Sequence, residues 1–335
     1  MPDPRVVVFS GSAHRPLARA ICEELEVPLS SVEMTRFSND CLQAQLQANC
    51  RQRDVYIVQP LVPPTQEHLM ELLLMIDAAR GASAASITAV IPFYAYARSD
   101  KKDASRISIG GRLVADLLAT AGVHRVMTMT LHAPQVHGFF SVPVDQLTAL
   151  GILAEHFLAQ DLSDAIVVSP DFGNAKTATQ FSRLLGLNVA AGSKQRLADD
   201  RVVIDSIVGD VAGKRAIVLD DEIATGGSIV ELLDRLAEEG CTGAAVACTH
   251  GLFVGKAVDR LRHHPMIHRR SCCSKTTNSK TMMTKTTTNC DGYYWSSLGR
   301  RSSWSRGRGT QCSHSLSGPR VCRRRPRQTP MARAS

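Results

Sequence analysis

Ala216-Ile-Val-Leu-Asp-Asp-Glu-Ile-Ala-Thr-Gly-Gly-Ser228 is the stretch that decides the fold. Its opening apolar run does not alternate with polar residues, which predicts a strand covered on both faces. Asp220 and Asp221 then stand at the strand's carboxyl edge, and the small loop Ala224–Ser228 leads into a segment of helical spacing. There Ile229, Leu232, Leu233, Leu236 and Ala237 form one apolar face. Ser228 and Glu231 stand in capping-box relation at the start, and Gly240 supplies a left-handed residue after the end. Adjacent carboxylates at a strand end suit sugar hydroxyls or a metal. Backbone N–H groups and hydroxyls of Thr225–Ser228, at a helix N-terminus, suit a phosphate.

The same alternation extends outward from Arg5 to Cys248. Strands are expected at Arg5–Phe9, Val55–Gln59, Ile87–Ile91, Arg125–Thr130, Ala165–Ser169, Asn188–Ala191, Ala216–Asp220 and Ala244–Cys248. Helices are expected at Pro16–Leu25, Gln66–Gly81, Ile109–Ala121, Gln146–Ala159, Asn174–Leu185 and Ser228–Glu239. Alternating strands and helices predict an α/β fold with mainly parallel sheets, right-handed crossovers and functional loops at the strands' carboxyl ends. Two sheets of about four strands each fit better than one. The junction falls near Asp145–Gly151, giving domains at 1–148 and 149–267.

Charge divides the chain differently. Of 335 residues, 39 are basic and 31 acidic, a net of +8. Residues 1–267 carry a net of −6 and residues 268–335 a net of +14. That last segment holds one acid, Asp291, both tryptophans (Trp295, Trp304) and five of the ten cysteines. As native chain it reads as a disordered basic arm able to touch nucleic acid or an anionic membrane. The abrupt composition break reads better as translation in a shifted frame, which the other two frames of the coding DNA test. Cys272–Cys273 and Cys312-x-His314 lack the paired spacing of a zinc site. Upstream, Cys22, Cys41, Cys50, Cys241 and Cys248 form no CxxC pair, so reduced thiols and a cytoplasmic location are expected. The longest apolar runs, Leu72–Ile76 and Ala165–Val168, are too short to span a membrane. No membrane or nucleic-acid partner is expected for residues 1–267.

The Asp220–Ser228 stretch resembles the phosphoribosyl diphosphate-binding loop of type I phosphoribosyltransferases. The rest narrows the resemblance to the ribose-phosphate pyrophosphokinase family, from about Arg5 to Ile267. The matching stretches include Arg36-Phe-Ser-Asn39, Met70-Glu-Leu-Leu73, Ile87–Arg98, Leu131-His-Ala133, Gly138-Phe-Phe140, Val142-Pro-Val-Asp145, Ser169-Pro-Asp-Phe-Gly-Asn174 and Gly209-Asp-Val211. The resemblance implies two similar phosphoribosyltransferase-like domains. It also implies transfer of a diphosphoryl group from ATP to the anomeric hydroxyl of ribose 5-phosphate with Mg²⁺ as cofactor, in a homo-oligomer expected to be hexameric.

Residue roles follow from the same resemblance. Ala224, Thr225, Gly226, Gly227 and Ser228 form the ribose 5-phosphate loop, and Asp220 and Asp221 bind the ribose hydroxyls. Asp171, Phe172, Gly173 and Asn174 face the diphosphate and metal. His132 and Asp171 are the metal residues. Phe37, Asn39, Arg98, Ser99, Asp100 and His132 bind ATP, Phe37 stacking on adenine from a neighbouring subunit. Lys194 and Arg196 are the catalytic cations. From the residues alone, Ser193-Lys-Gln-Arg196 is a basic loop after a strand, able to close over phosphates or simply solvated. Phe37 alone reads as core, and His132 alone as structural.

Several positions depart from the commonest family pattern. Asn39, Cys41, Thr130 and Ala224 replace acids, and the family's last strand and helix are not found in residues 268–335. Without them the second domain is expected to expose an apolar sheet edge and face. A non-catalytic relative that binds synthetase subunits therefore stays open, as does a phosphoribosyltransferase with a nucleobase acceptor. Gly251-Leu-Phe-Val-Gly-Lys256 has one residue too few between its glycines for a P-loop.

Overall fold

Residues 216–219 lie inside a nine-residue strand, Arg215–Ile223, and are buried on both faces. Ala216 and Val218 pack into one apolar cluster, Ile217 and Leu219 into another. The two-residue period of a strand makes this division, and a core on each side requires the unbroken apolar run.

The computed structural model describes residues 5–196 and 202–267. In chain order the first part runs β1 (Val6–Ser10), α1 (Arg15–Glu24), β2 (Leu29–Ser30), β3 (Val32–Arg36), β4 (Leu42–Leu46), β5 (Asp54–Val58), α2 (Thr65–Gly81), β6 (Ser86–Ile91), α3 (Gly110–Ala121), β7 (Arg125–Met129) and β8 (Val144–Leu147). Short 3₁₀ turns, Ala95–Arg98 and Pro134–Phe139, follow β6 and β7. The second part runs α4 (Leu150–Leu158), β9 (Ala165–Ser169), α5 (Ala175–Leu185), β10 (Val189–Arg196), β11 (Val202–Val208), β12 (Arg215–Ile223), α6 (Gly227–Glu238), β13 (Gly243–Gly251) and α7 (Ala257–Arg262).

One sheet has the order β2-β1-β5-β6-β7-β8 and is parallel throughout. Helix α1 covers one face, where Leu17, Ala18 and Cys22 meet Val8 and Val58. Helices α2 and α3 cover the other through Leu72, Met75, Ile76, Val114 and Leu118. The second sheet has the order β11-β10-β9-β12-β13 and is parallel except for β10 against β11. Helix α6 seals one face with Ile229, Leu232, Leu233 and Leu236. Helices α4 and α5 seal the other with Leu153, Phe157, Ala178 and Phe181.

Several expectations need correction. The sheets hold six and five strands among the described residues, rather than about four each. The hairpin β3–β4 alternates half-buried Val32, Met34, Leu42, Ala44 and Leu46 with exposed polar residues. Its period-two signal is genuine but weak, because only one face is covered. The helix expected from Gln146 begins only at Leu150, since Gln146 and Leu147 pair with Thr128 and Met129 as β8. Strand β10 runs on past Ala191 to Arg196, so Lys194 and Arg196 lie in a strand paired with β11 and not in a loop. The polar stretch 198–201 lies outside the described residues, as does the tail 268–335.

The capping box also fails. Helix α6 is capped by Gly226 in the left-handed region (φ 74°), with no side chain bonding to its first turn. Ser228 therefore falls inside the helix. Gly240, by contrast, does take the left-handed conformation after the end (φ 80°). Among the described residues β13 is a sheet edge, joined only by an isolated parallel bridge from Ala244 to Ile267.

Candidate active site

In the second sheet the chain leaves neighbouring strands β9 and β12 in opposite directions, toward β10 and toward β13. The loops after two such strands splay apart and leave a crevice at their carboxyl ends. The turn Asp171–Asn174 follows β9 and the loop Ala224–Gly226 follows β12, so both families of predicted residues line this crevice. Asp171 Oδ1 accepts from the Asn174 backbone N–H at 3.0 Å, and Asn174 Nδ2 donates to the Leu219 carbonyl at 3.0 Å. The turn is thereby tied to the strand bearing the acid pair. Phe172 and Gly173 stand at its exposed tip.

The loop after β12 is braced from behind. Backbone N–H groups of Leu252 and Phe253 donate to the Ile223 carbonyl, and that of Val254 to the Ala224 carbonyl. Arg260 Nη1 donates to the Thr225 carbonyl at 3.3 Å. The glycine-bearing stretch that fails as a P-loop thus supports the loop that does lie at a helix N-terminus. At Gly226 an added Cβ would meet nothing closer than 3.7 Å, so a substitution costs backbone strain and not a clash. Gly226→Ala is expected to lower stability by about 1–2 kcal/mol, measured by urea unfolding.

The corresponding crevice of the first sheet lies between β1 and β5 and is filled by the protein's own groups. Buried Glu71 accepts from the Ser12 backbone N–H at 3.0 Å, the Ser12 hydroxyl at 2.8 Å and Gln59 Nε2 at 2.7 Å. A Cβ on Gly11 would sit 2.3 Å from Gln59 Oε1. The crevice of the first sheet is thus occupied by the protein's own side chains.

The two sheets meet at their carboxyl ends. His132, after β7, places Nδ1 2.5 Å from Asp221 Oδ2. Arg98, at the end of the turn after β6, pairs with Glu222 at 3.6 Å. His250 of β13 donates from Nε2 to the Met129 carbonyl at 2.8 Å, which fixes its tautomer. Phe93, Tyr94, Ala97, Thr130 and His250 enclose a small cleft with His132, Asp221 and Glu222. His132 is half-exposed.

Electrostatics divide the acid pair. Burial, then the charge of Asp221, pushes Asp220 well above the usual carboxylate range. Burial acts the same way on Asp221, but the hydrogen bond and charge of His132 outweigh it and hold Asp221 low. The Asp221 hydrogen bond in turn raises His132. Burial and the charges beside them thus push the two neighbouring carboxyls in opposite directions.

His250 is lowered from 6.5 by burial, against its bonds to the Met129 and Thr130 carbonyls. The unfolded chain then binds the extra proton first. Stability from this residue is complete above its unfolded value and is lost as pH falls toward the folded one. Urea unfolding on either side of the ordinary histidine value should show a larger loss on acidification in the wild type than in His250→Gln.

The remaining predicted residues are elsewhere or otherwise engaged. Phe37 and Asn39 sit on the β3–β4 turn, where Asn39 Oδ1 accepts from the Cys41 N–H at 3.2 Å. Phe37 is 47% exposed, so the core reading of that residue is wrong. Arg36 ties the hairpin to Glu67 of α2, and among the described residues no hydrogen bond joins Phe37 or Asn39 to Arg98 or His132. Ser99 Oγ accepts from the Gly110 N–H at 2.8 Å at the start of α3. Asp100 accepts from Gln135, which ties the two 3₁₀ turns together. Glu222 lies in the quoted strand-to-loop stretch and Leu252–Lys256 in the rejected P-loop stretch, but their roles and that of His250 emerge only where the sheets meet.

Residues 6–122 match the family model for the N-terminal domain of ribose phosphate pyrophosphokinase. A Streptomyces coelicolor protein classed with the ribose-phosphate pyrophosphokinases is 65% identical over 260 residues, spanning 78% of this chain and 82% of that one. The ribose-phosphate pyrophosphokinase of Deinococcus radiodurans is 48% identical, spanning 80% and 84%. Among solved structures, the phosphoribosylpyrophosphate synthetase of Mycobacterium smegmatis superposes with a TM-score of 0.71 at 38% identity, covering 78% of this chain and 86% of that chain.

Proposed function

The chain belongs to the ribose-phosphate pyrophosphokinase family, and from that premise we propose that it moves the intact diphosphoryl group of ATP onto the anomeric hydroxyl of ribose 5-phosphate, releasing AMP. The observation that carries this reading is the 2.5 Å bond between His132 and Asp221, which joins the nucleotide-side half to the sugar-side half in one crevice. A phosphoribosyltransferase needs only the second half, so the nucleobase-acceptor reading leaves Arg98, His132 and the whole first sheet without a task.

The division of labour follows from charge. N–H groups of Gly226–Ser228 at the start of α6 receive the 5-phosphate, and Asp220 and Asp221 receive the ribose hydroxyls. Arg98 meets the nucleotide phosphates, and Phe37 reaches the adenine of a neighbouring copy in a homo-oligomer. Lys194 and Arg196 meet the charge that builds on the transferring and leaving phosphates. Holding both substrates in line accounts for much of the rate. Free thiols at Cys22, Cys41, Cys50, Cys241 and Cys248 fit a cytoplasmic setting, and no helix among the described residues is long and apolar enough to cross a membrane.

Mg²⁺ fits the donor set in a particular way. Among the described residues no three His, Cys, Asp or Glu side chains gather into a cage. That suits an ion which keeps its waters and is held by one or two carboxylates together with substrate phosphates. Of the carboxylates at the crevice, Asp171 is the one that would hold the ion, while Asp221 and the Nδ1 of His132 already bond one another. When bound, the ion neutralises phosphate charge and orients the diphosphoryl group.

The test is incubation with ATP, ribose 5-phosphate and Mg²⁺, with AMP and phosphoribosyl diphosphate expected in equal amounts and no free phosphate. Chelation of the metal should stop both products. Product formed only from phosphoribosyl diphosphate and a nucleobase would overturn the reading in favour of a phosphoribosyltransferase.

A further inference from the structure

Glu222 follows the acid pair on β12 and has no task in the scheme above. Its side chain is 9% exposed, on the second sheet, while its partner Arg98 is 52% exposed, on the first. A buried carboxylate is unfavourable unless paired. Burial indeed raises Glu222, and the Arg98 charge acts against that rise. The neighbouring Asp221 is bonded to His132 and does not offer Arg98 an alternative anchor.

We infer that Glu222 is a positioning residue, holding the Arg98 guanidinium on the sugar side of the crevice so that its remaining N–H groups meet the nucleotide phosphates. Guanidinium carries five N–H donors in a fixed fork, so one edge can face Glu222 while the others face substrate. The 3.6 Å separation makes this an ion pair that orients without saturating the cation. Glu222 lies two positions before Ala224, on the strand that delivers the ribose-phosphate loop. Arg98 is thereby set relative to that loop, and the two substrates are registered to one another through the protein. This rests on the assignment of Arg98 to the nucleotide.

The experiment measures equilibrium binding of ATP with Mg²⁺, and separately of ribose 5-phosphate, to the full chain and to the Glu222→Gln, Arg98→Met and doubly substituted variants. Glu222→Gln keeps the side-chain shape and should weaken ATP about 5- to 10-fold, with ribose 5-phosphate within about twofold. Its thermal midpoint should be unchanged or higher, because a buried charge has gone, whereas a merely structural residue would lower it. In the Arg98→Met background the Glu222→Gln change should have no further effect on ATP. Undiminished ATP binding by Glu222→Gln, or an equal loss in both backgrounds, overturns the inference and leaves the pyrophosphokinase reading standing. A wild-type chain that binds neither ATP nor ribose 5-phosphate overturns that reading as well.

Discussion

Lys194→Ala is expected to lower turnover about 10²–10³-fold, the size of effect seen when one preorganised charge stabiliser is removed. The backbone gives the reason. Strand β10 pairs with β9 only as far as Ala191 against Ser169, and then continues to Arg196 with β11 alone beside it. At about 3.3 Å per residue, Lys194 stands about 10 Å past the carboxyl end of β9. That overhang lies on the side from which the Asp171–Asn174 turn emerges. Diphosphoryl transfer leaves the protein little covalent chemistry to perform, so positioned positive charge carries most of the rate. On the proposed assignment of ribose 5-phosphate to α6, its KM should move far less than kcat. Arg196→Ala should behave alike, and the double variant should lose less than the product of the two, because the cations act as a unit. Steady-state formation of AMP measures all three. A kcat loss under about tenfold would show that the cations lie outside the reaction.

How much of this was legible beforehand depends on the kind of signal. Strands buried on both faces, such as Ala216–Leu219 and Ala165–Ser169, announce themselves by unbroken apolar runs, and α6 by its spaced leucines. Elements covered on one side were not legible. The β3–β4 hairpin has one face covered, so polar residues interrupt its short apolar alternation, and in the edge strand β11 Asp205 and Ser206 break the apolar run. The cap of α6 was misplaced because a serine followed by a glutamate satisfies the pattern, whereas the loop needs a left-handed residue one position before the helix.

Within the site, contiguous motifs were legible and pairings were not. Asp171–Asn174 and Asp220–Ser228 each form one turn, and a turn is local. The bonds His132–Asp221, Arg98–Glu222 and His250–Met129 link residues about a hundred or more positions apart. They exist only because two sheets bring the same ends together, which no spacing in one strand encodes. The extension of β10 through Lys194 was hidden for a related reason: its partner β11 lies across residues 197–201, and polar strands need a partner to be recognised.

Asp221→Asn carries the second large expected effect, a fall of about 10²-fold in kcat/KM. Two losses combine. A hydrogen bond to a charged group contributes roughly 1.5–3 kcal/mol, and with His132 42% exposed, solvent takes the His132–Asp221 bond toward the lower end. That alone is about tenfold. On the proposed assignment of the ribose hydroxyls to the acid pair, one of their two carboxyl partners is lost as well, and a similar factor follows. The signs give an independent check. Asp221 raises His132 and is itself held low, so the charged pair stabilises the fold between the carboxylate's titration in acid and that of the raised imidazole. Above the folded value of His132 the stabilisation fades; below that of Asp221 it is lost. In Asp221→Asn the His132 ring, followed by NMR, should titrate at lower pH than in the wild type, whether or not substrates are present. An unchanged His132 titration would mean that the two halves are not coupled through this bond, and the loss of activity would then have to come from the ribose alone.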